Sequence, residues 1–342
     1  MAALVVEGGR PLRGAVTVEG NKNAALPILA GCLLTREECV LDNVPRIRDV
    51  SAMCELLEGL GATVEGKGTS TLRVRCAEIH STQPDQALVA RIRGSVLLAA
   101  PLLARAGRAG FGEPGGDFPG RRSVTTHRRA LAAFGAVSDG SEAHALAAPA
   151  GLRGASLYLD EASVTATETA LLAAATATGA SEIRNAACEP HVAELVRFLR
   201  AMGAQIAGEG TGTLRVTGVE ALAGARHRVD GDFIEAGSWA VAAAATSGEI
   251  EVRGARALDM EPIVAVLARL GVAAVLEDGL LRVGASSLVG AGRVTTGVWP
   301  GFPTDMVSLV TVLATQARGS TLVHDWLYEL RLFGLEQLSG MG

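Results

Sequence analysis

Residues 194–207 read ELVRFLRAMGAQIA. Apolar and charged residues alternate at helical spacing as far as Met202, Gly203 stops the helix, and a short strand follows. Glycine after a helix is the left-handed cap, because it lacks the Cβ that resists positive φ. The same phrase recurs as CELLEGLGATVE (54–65), HRRALAAFGAVS (127–138), VAVLARLGVAAVL (264–276) and GLEQLSGMG (334–342). Its closing glycines, Gly61, Gly135, Gly203, Gly271 and Gly342, stand 68 to 74 residues apart.

A second phrase alternates with the first: an Ala-rich helix, a small turn residue, then a strand. Its copies are NAALPILAGCLLTREECVL (23–41), SVLLAAPLLARAGRAGF (95–111), TALLAAATATGASEI (169–183), SWAVAAAATSGEIEV (238–252) and VSLVTVLATQARGSTLV (307–323). Turn points at Thr35, Gly107, Gly179, Gly248 and Gly319 lie 69 to 72 residues apart. Two independent markers thus share one period, too long for a solenoid turn and right for a small αβ subdomain. The pattern predicts an α/β (α+β) chain of βαβαββ-like units, five begun and the fifth incomplete. The strands expected after the last helix would lie beyond Gly342, so either the chain is truncated or another chain supplies them. Small Ala-rich helices suit a domain interior. Stretches such as EGKGTSTLRVRC (65–76) and GEGTGTLRVTG (208–218) predict hairpins with one wet face.

Composition bounds the rest. A chain of 342 residues with 49% hydrophobic, 4% aromatic and 20% charged residues is globular, with cores of Ala, Val and Leu and room for two domains. The net charge of −5 argues against nucleic acid as the main partner. No secretory signal is visible, and the Ala-rich run between Glu235 and Glu249 is too short for a bilayer span. Cys32, Cys39, Cys54, Cys76 and Cys188 show no CxxC spacing and read as reduced core thiols of a cytoplasmic protein. The six histidines show no metal-ligand spacing. No metal or organic cofactor is implied.

Five stretches carry a resemblance: EGNKNAALPILA (19–30), RIRGS (91–95), EPGGDFPGRR (113–122), EASVTAT (161–167) and GFPTDM (301–306). Together, in this order, they resemble the UDP-N-acetylglucosamine enolpyruvyl transferases. The resemblance implies two inside-out α/β barrels, each of three repeated units, with the active site in the cleft between. One domain would span residues 20–228, and the other residues 1–19 with 229–342. It also implies transfer of the enolpyruvyl group of phosphoenolpyruvate to the sugar 3-hydroxyl, with both compounds as small-molecule partners and no nucleic acid or membrane involved.

The resemblance assigns roles residue by residue. Loop 113–122 would be a lid. Its Asp117 stands where a cysteine is usual and would protonate the methylene carbon, so the thiol-alkylating antibiotic fosfomycin should not inactivate the protein. Lys22 and Asn23 open a helix whose N-terminus, with an added ammonium, suits an anion. Arg93 and Arg122 offer guanidinium forks for carboxylate or phosphate, whereas Arg91 and Arg121 read as solvated neighbours. Asp305 would orient or deprotonate the attacking hydroxyl; a helix cap is its bland alternative. Ser123, Val124, Thr125, Thr126, Glu161, Ala162, Ser163 and Val164 would line the nucleotide site, and Leu327 would meet the base. Arg331 would face the cleft or pair with Glu329 or Asp325. Two departures bear on nucleotide affinity: RSVTTH (122–127) in place of Arg-Pro-x-Asp-Leu-His, and Glu161 where lysine is frequent. Two rival readings follow, an enolpyruvyl transferase acting on shikimate 3-phosphate and a non-catalytic paralogue that binds a nucleotide sugar.

Overall fold

A computed structural model describes residues 5–110, 112–115, 123–140, 145–328 and 330–341. The chain divides into two compact units, residues 20–230 and residues 1–19 with 231–342. Each has its own apolar core.

In the unit of residues 20–230, Ala-rich helices alternate with amphipathic ones. The Ala-rich set is Lys22–Gly31, Ala99–Ala106 and Val164–Ala174; the amphipathic set is Arg48–Gly59, Thr125–Ala133 and Pro190–Ala201. Eight of the ten residues of Lys22–Gly31 and nine of the eleven of Val164–Ala174 are buried. Small side chains let neighbouring helices approach from every side, so little of these helices meets water. Pro190–Ala201 instead buries one face, with Leu195, Val196, Phe198 and Leu199, and turns Arg197 and Arg200 toward Glu209.

The repeat markers take the expected conformation in the first phrase. Gly61, Gly135, Gly203 and Gly271 follow the helix-closing residues with φ of 111°, 94°, 105° and 81°. In the second phrase Gly107, Gly179 and Gly319 have positive φ, Thr35 is extended at −117°, and the Gly248 turn differs in another way. At that turn the positive φ falls on Ser247, at 52°. Gly248 is required for space, since a Cβ there would lie 2.2 Å from the carbonyl oxygen of Leu12. The last copy of the first phrase differs more. Phe333–Met341 is a 3-10 helix with no buried residue. A short helix is held mainly by burying an apolar face, and this one buries none.

Among the described residues the strands form five separate sheets. In residues 20–230 these run Arg226–Arg228, Glu38–Asp42, Thr71–Arg75, Thr63–Glu65; then Gln205–Ala207, Thr213–Thr217, Ala180–Arg184, Ser156–Tyr158; and Arg108–Ala109, Leu146–Ala147, Val137–Ser138. Thr71–Arg75 shows the wet-face pattern: Leu72 and Val74 are buried, while Arg73 and Arg75 are exposed. In the other unit Arg13–Thr17 pairs parallel with Glu249–Arg253, which continues to Leu280–Val283 and Ala274–Glu277. Gly292–Thr295 and Thr321–His324 make a parallel pair. The α/β class stands, but the inside-out barrel does not. A barrel needs a sheet whose first and last strands pair and leave no edge. Here each period ends its own open sheet on short edge strands such as Thr63–Glu65 and Ser156–Tyr158.

Candidate active site

The NKNAALP stretch folds into a capped helix start. Asn21 Oδ1 accepts from the backbone N–H of Asn23 at 2.8 Å and of Ala24 at 3.2 Å. Lys22 is therefore the first helical residue, beside an N-terminus whose dipole favours anions. Pro27 has no N–H to give the carbonyl of Asn23, so the first turn keeps an acceptor that a regular helix would use. Lys22 Nζ stands 3.7 Å from Asp49 Oδ2, with the two side chains 45% and 41% exposed. An exposed pair of this kind contributes at most about 1 kcal/mol, so a phosphate can displace it. Asp49 was missed in the sequence. It opens the helix Arg48–Gly59, and only the packing of that helix on Lys22–Gly31 brings it to the ammonium.

A second cluster in the same unit gathers residues from three stretches. Arg93 Nη2 donates to the carbonyl of Ser123 at 2.9 Å, whereas Arg91 is exposed. Ser123 Oγ accepts from the backbone N–H of Thr125 at 3.0 Å and donates to Thr125 Oγ1 at 2.6 Å, which fixes the approach to the helix Thr125–Ala133 behind Val124. Thr126 Oγ1 donates to Glu161 Oε1 at 3.2 Å. Ser163 caps the helix Val164–Ala174, its Oγ accepting from the N–H of Ala166 at 3.4 Å. The Ser163 N–H reaches back over Ala162 to the Glu161 carbonyl at 2.7 Å. Two helices thus lie side by side, and the N-terminus of a helix suits phosphate oxygens.

His127 binds these two helices together. Its Nε2 is 2.7 Å from Thr165 Oγ1. Burial, helped by the Arg93 charge, pushes its pKa down to about 4, so the ring is neutral at physiological pH and acts as a fixed hydrogen-bonding strut. It was present in the sequence as the last residue of RSVTTH but carried no assigned role.

The other unit holds the remaining candidates. Asp305 lies in the 3-10 turn Thr304–Met306 and makes no capping hydrogen bond, so the cap alternative is not what it does. Its side chain is about half exposed and accepts from Arg331 Nη2. Arg331 therefore pairs with Asp305, and its guanidinium also lies 5.2 Å from the centre of the Tyr328 ring. Asp325 is not its partner and accepts instead from Thr296 Oγ1 at 2.9 Å, Thr304 Oγ1 at 2.5 Å and the backbone N–H of Leu327 at 2.9 Å. It ties the segment carrying half-buried Leu327 to the turn carrying Asp305. Thr304 and Asp325 are thus supporting residues that only the fold reveals.

Asp117, Arg121, Arg122 and Glu329 lie outside the described residues. The root of their loop is described: Gly115 donates its N–H to the Val89 carbonyl at 3.1 Å, and a Cβ there would lie 2.3 Å from the Ala90 carbonyl oxygen. Only glycine fits. Among the described residues no group of three or more His, Cys, Asp or Glu side chains is placed to hold a metal ion. No helix among them is long and apolar enough to cross a membrane.

Comparison with known proteins adds three findings. The EPSP synthase (3-phosphoshikimate 1-carboxyvinyltransferase) family model matches residues 6–342. The chain is similar to a UDP-N-acetylglucosamine 1-carboxyvinyltransferase of Treponema denticola, at 38% identity over 350 positions, covering all of this chain and 82% of that protein. It is 42% identical over 346 positions to the protein of the same description from Gluconacetobacter diazotrophicus, again covering all of this chain and 82% of the relative. Among solved structures, the enolpyruvyl transferase NikO from Streptomyces tendae superposes with a TM-score of 0.86 at 21% identity, over 98% of this chain and 80% of that one. EPSP synthase from Acinetobacter baumannii does so with 0.69 at 18% identity, over 92% and 74%.

Proposed function

Since the chain belongs to the UDP-N-acetylglucosamine 1-carboxyvinyltransferase family, within the EPSP synthase superfamily, we infer that it transfers the enolpyruvyl group of phosphoenolpyruvate to the 3-hydroxyl of UDP-N-acetylglucosamine. Phosphate is released, and the step commits the nucleotide sugar to peptidoglycan synthesis. The observation that carries this reading is the match along the whole chain, at 38 to 42% identity, to relatives of that description.

The residue roles belong to the same proposal. The sugar hydroxyl oxygen bonds to the central carbon of the enol phosphate while Asp117 gives its proton to the methylene carbon, which becomes a methyl group. Asp305 orients the hydroxyl and takes its proton. The methyl group then returns a proton as the bond from the central carbon to the phosphate oxygen breaks, leaving an enolpyruvyl ether and inorganic phosphate. Lys22, Asn23 and Arg122 hold the anionic co-substrate, and their positive charge meets the charge that develops on the leaving phosphate. Arg93, residues 123–126 and residues 161–164 take the nucleotide. Leu327 meets the base, and Arg331 holds Asp305 in place. The protein works in the cytoplasm.

Phosphate release measured with each substrate alone and with both tests the reading: release should require both. A chain without turnover is the second reading, favoured by one observation. Glu161 sets a carboxylate beside the start of the helix Val164–Ala174, where it repels the diphosphate of the nucleotide sugar. Absence of phosphate release in the presence of both substrates would decide for it.

A further inference from the structure

The helix Lys22–Gly31 is held along its body by packing, but its first residues are not. Ala24 to Gly31 are all buried, whereas Lys22 and Asn23 reach the surface. The placing of those two side chains therefore depends on the hydrogen bonds just ahead of them. Asn21 supplies the cap, and its own backbone N–H donates to the Asp230 carbonyl at 2.8 Å. Gly20 leaves no play beside it, since a Cβ there would lie 1.8 Å from the Asn43 carbonyl oxygen.

Asp230 is itself clamped by two side chains one turn apart on the helix Pro190–Ala201. Glu194 Oε1 accepts from the Asp230 backbone N–H at 2.8 Å, and Arg197 Nη2 donates to Asp230 Oδ2 at 2.6 Å. The residue before it is fixed too. The Val229 N–H donates to the Asp42 carbonyl at 2.9 Å, and Asn43 Nδ2 donates to the Val229 carbonyl at 2.8 Å. Within this set the Glu194 carboxylate is the deepest charge, 2% exposed. A charge so far from water is costly unless its hydrogen bonds are made well. The same Oε1 lies 3.0 Å from His227 Nε2, and a carboxylate oxygen only accepts, so the ring keeps its Nε2–H turned toward it. No step of the transfer reaction uses this carboxylate.

We propose that Glu194 is a positioning residue for the start of the helix Lys22–Gly31. Through the Asp230 peptide it holds Asn21, and through Asn21 it sets Lys22 and Asn23 toward the phosphate of the enol substrate. This role rests on the assignment of Lys22 and Asn23 to phosphoenolpyruvate. The reach of Oε1 matters more than its charge, because its partner at Asp230 is a neutral N–H. Glutamine keeps an accepting oxygen at the same distance for both Asp230 and His227. Aspartate, one methylene shorter, keeps the charge and withdraws the oxygen.

Phosphate release by the full chain with both substrates separates reach from charge. Glu194→Asp should raise KM for phosphoenolpyruvate about tenfold or more and leave KM for UDP-N-acetylglucosamine within about twofold, as when one anchoring group is misplaced. Glu194→Gln should bring KM for phosphoenolpyruvate back to the wild-type value. Asn21→Ala should reproduce the Glu194→Asp defect, and the double variant should be no worse than either single, since both act along one chain of contacts. Amide hydrogen exchange reads the same link without turnover: Glu194→Asp should speed exchange at Asn21 and Asn23 about tenfold or more and leave Ala166, behind the Ser163 cap, unchanged. Equal shifts in both KM values, additive effects in the double variant, a glutamine variant as poor as the aspartate one, or unaltered exchange at Asn21 would overturn the proposal. A wild-type chain that releases no phosphate would overturn the transferase reading instead, and exchange alone would then decide for or against Glu194.

Discussion

The helices Val164–Ala174 and Val307–Thr315 are written in nearly the same residues, Ala, Val, Leu and Thr, and each is followed by a turn and a strand. The first is buried on all sides, with nine of eleven residues out of water, whereas the second buries a single stripe of three. Their starts differ as well. Ser163 caps the first, and His127 pins it through Thr165. Asp305 begins the second without capping it and is left half exposed beside Arg331. Similar composition therefore gives a structural beam in one place and an open shelf in the other, because burial depends on what the rest of the chain brings alongside.

That contrast can be broken at four points. The largest effect is expected at the uncapped start. Asp305→Ala should lower kcat/KM for the two-substrate reaction on the order of 10²- to 10⁴-fold, the range for a positioned general base, with the unfolding midpoint nearly unchanged. A fall in stability with activity intact would return Asp305 to a structural role.

Next comes the core. Leu171 is fully buried in the first helix, so Leu171→Ala should cost about 2–5 kcal/mol in denaturant unfolding. Val312→Ala in the second helix should cost no more than about 0.5 kcal/mol. Equal losses would erase the distinction between beam and shelf.

The third point is pH. His127 has its pKa pushed down to about 4, below the roughly 6.5 of a free histidine. Between those values the unfolded chain takes up a proton that the folded protein refuses. Stability from this group is thus complete above about pH 6.5, declines as pH falls toward 4, and is level below that. The full drop is roughly 3 kcal/mol. His127→Asn, which keeps a donor for Thr165, should remove it. Matching pH profiles for wild type and variant, read as urea midpoints at neutral pH and at about pH 4.5, would refute the strut.

The smallest effect is the cap itself. Ser163→Ala should cost about 0.5–1 kcal/mol, the low end for an N-cap, because its hydrogen bond is long at 3.4 Å. Thermal unfolding would register that as a shift of a few degrees; no shift would mean that the cap contributes nothing.

Much of this molecule is legible in its sequence. The glycine-closed helices are a local matter. Gly61, Gly135, Gly203 and Gly271 sit where only a residue without Cβ turns easily, and the structure puts each in the left-handed region. The Ala-rich helices and the one-wet-face strands also follow from neighbouring residues alone. Sheet closure was not legible. Whether five short sheets join edge to edge depends on strand partners far apart in sequence, and no residue near Thr63–Glu65 or Ser156–Tyr158 says that those strands end a sheet.

The site divides along the same line. Lys22 and Asn23 announce a cationic helix start in two consecutive letters, whereas the caps at Asn21 and Ser163 emerge only in the structure. Asp49 beside Lys22, Thr165 beneath His127 and Asp325 behind Thr304 had no local signal, since each meets its partner through packing of separate elements.

The sequence by itself determined the repeat, the class of secondary structure and the chemical types gathered for an anionic pair of substrates, because helix periodicity, glycine conformation and side-chain charge are properties of neighbours along the chain. The tertiary structure alone decided that the sheets stay open, that Arg331 takes Asp305, that His127 is buried and neutral, and that Val312 is left in water. Those outcomes depend on which surfaces meet, and burial and pairing energies exist only once distant parts of the chain are side by side.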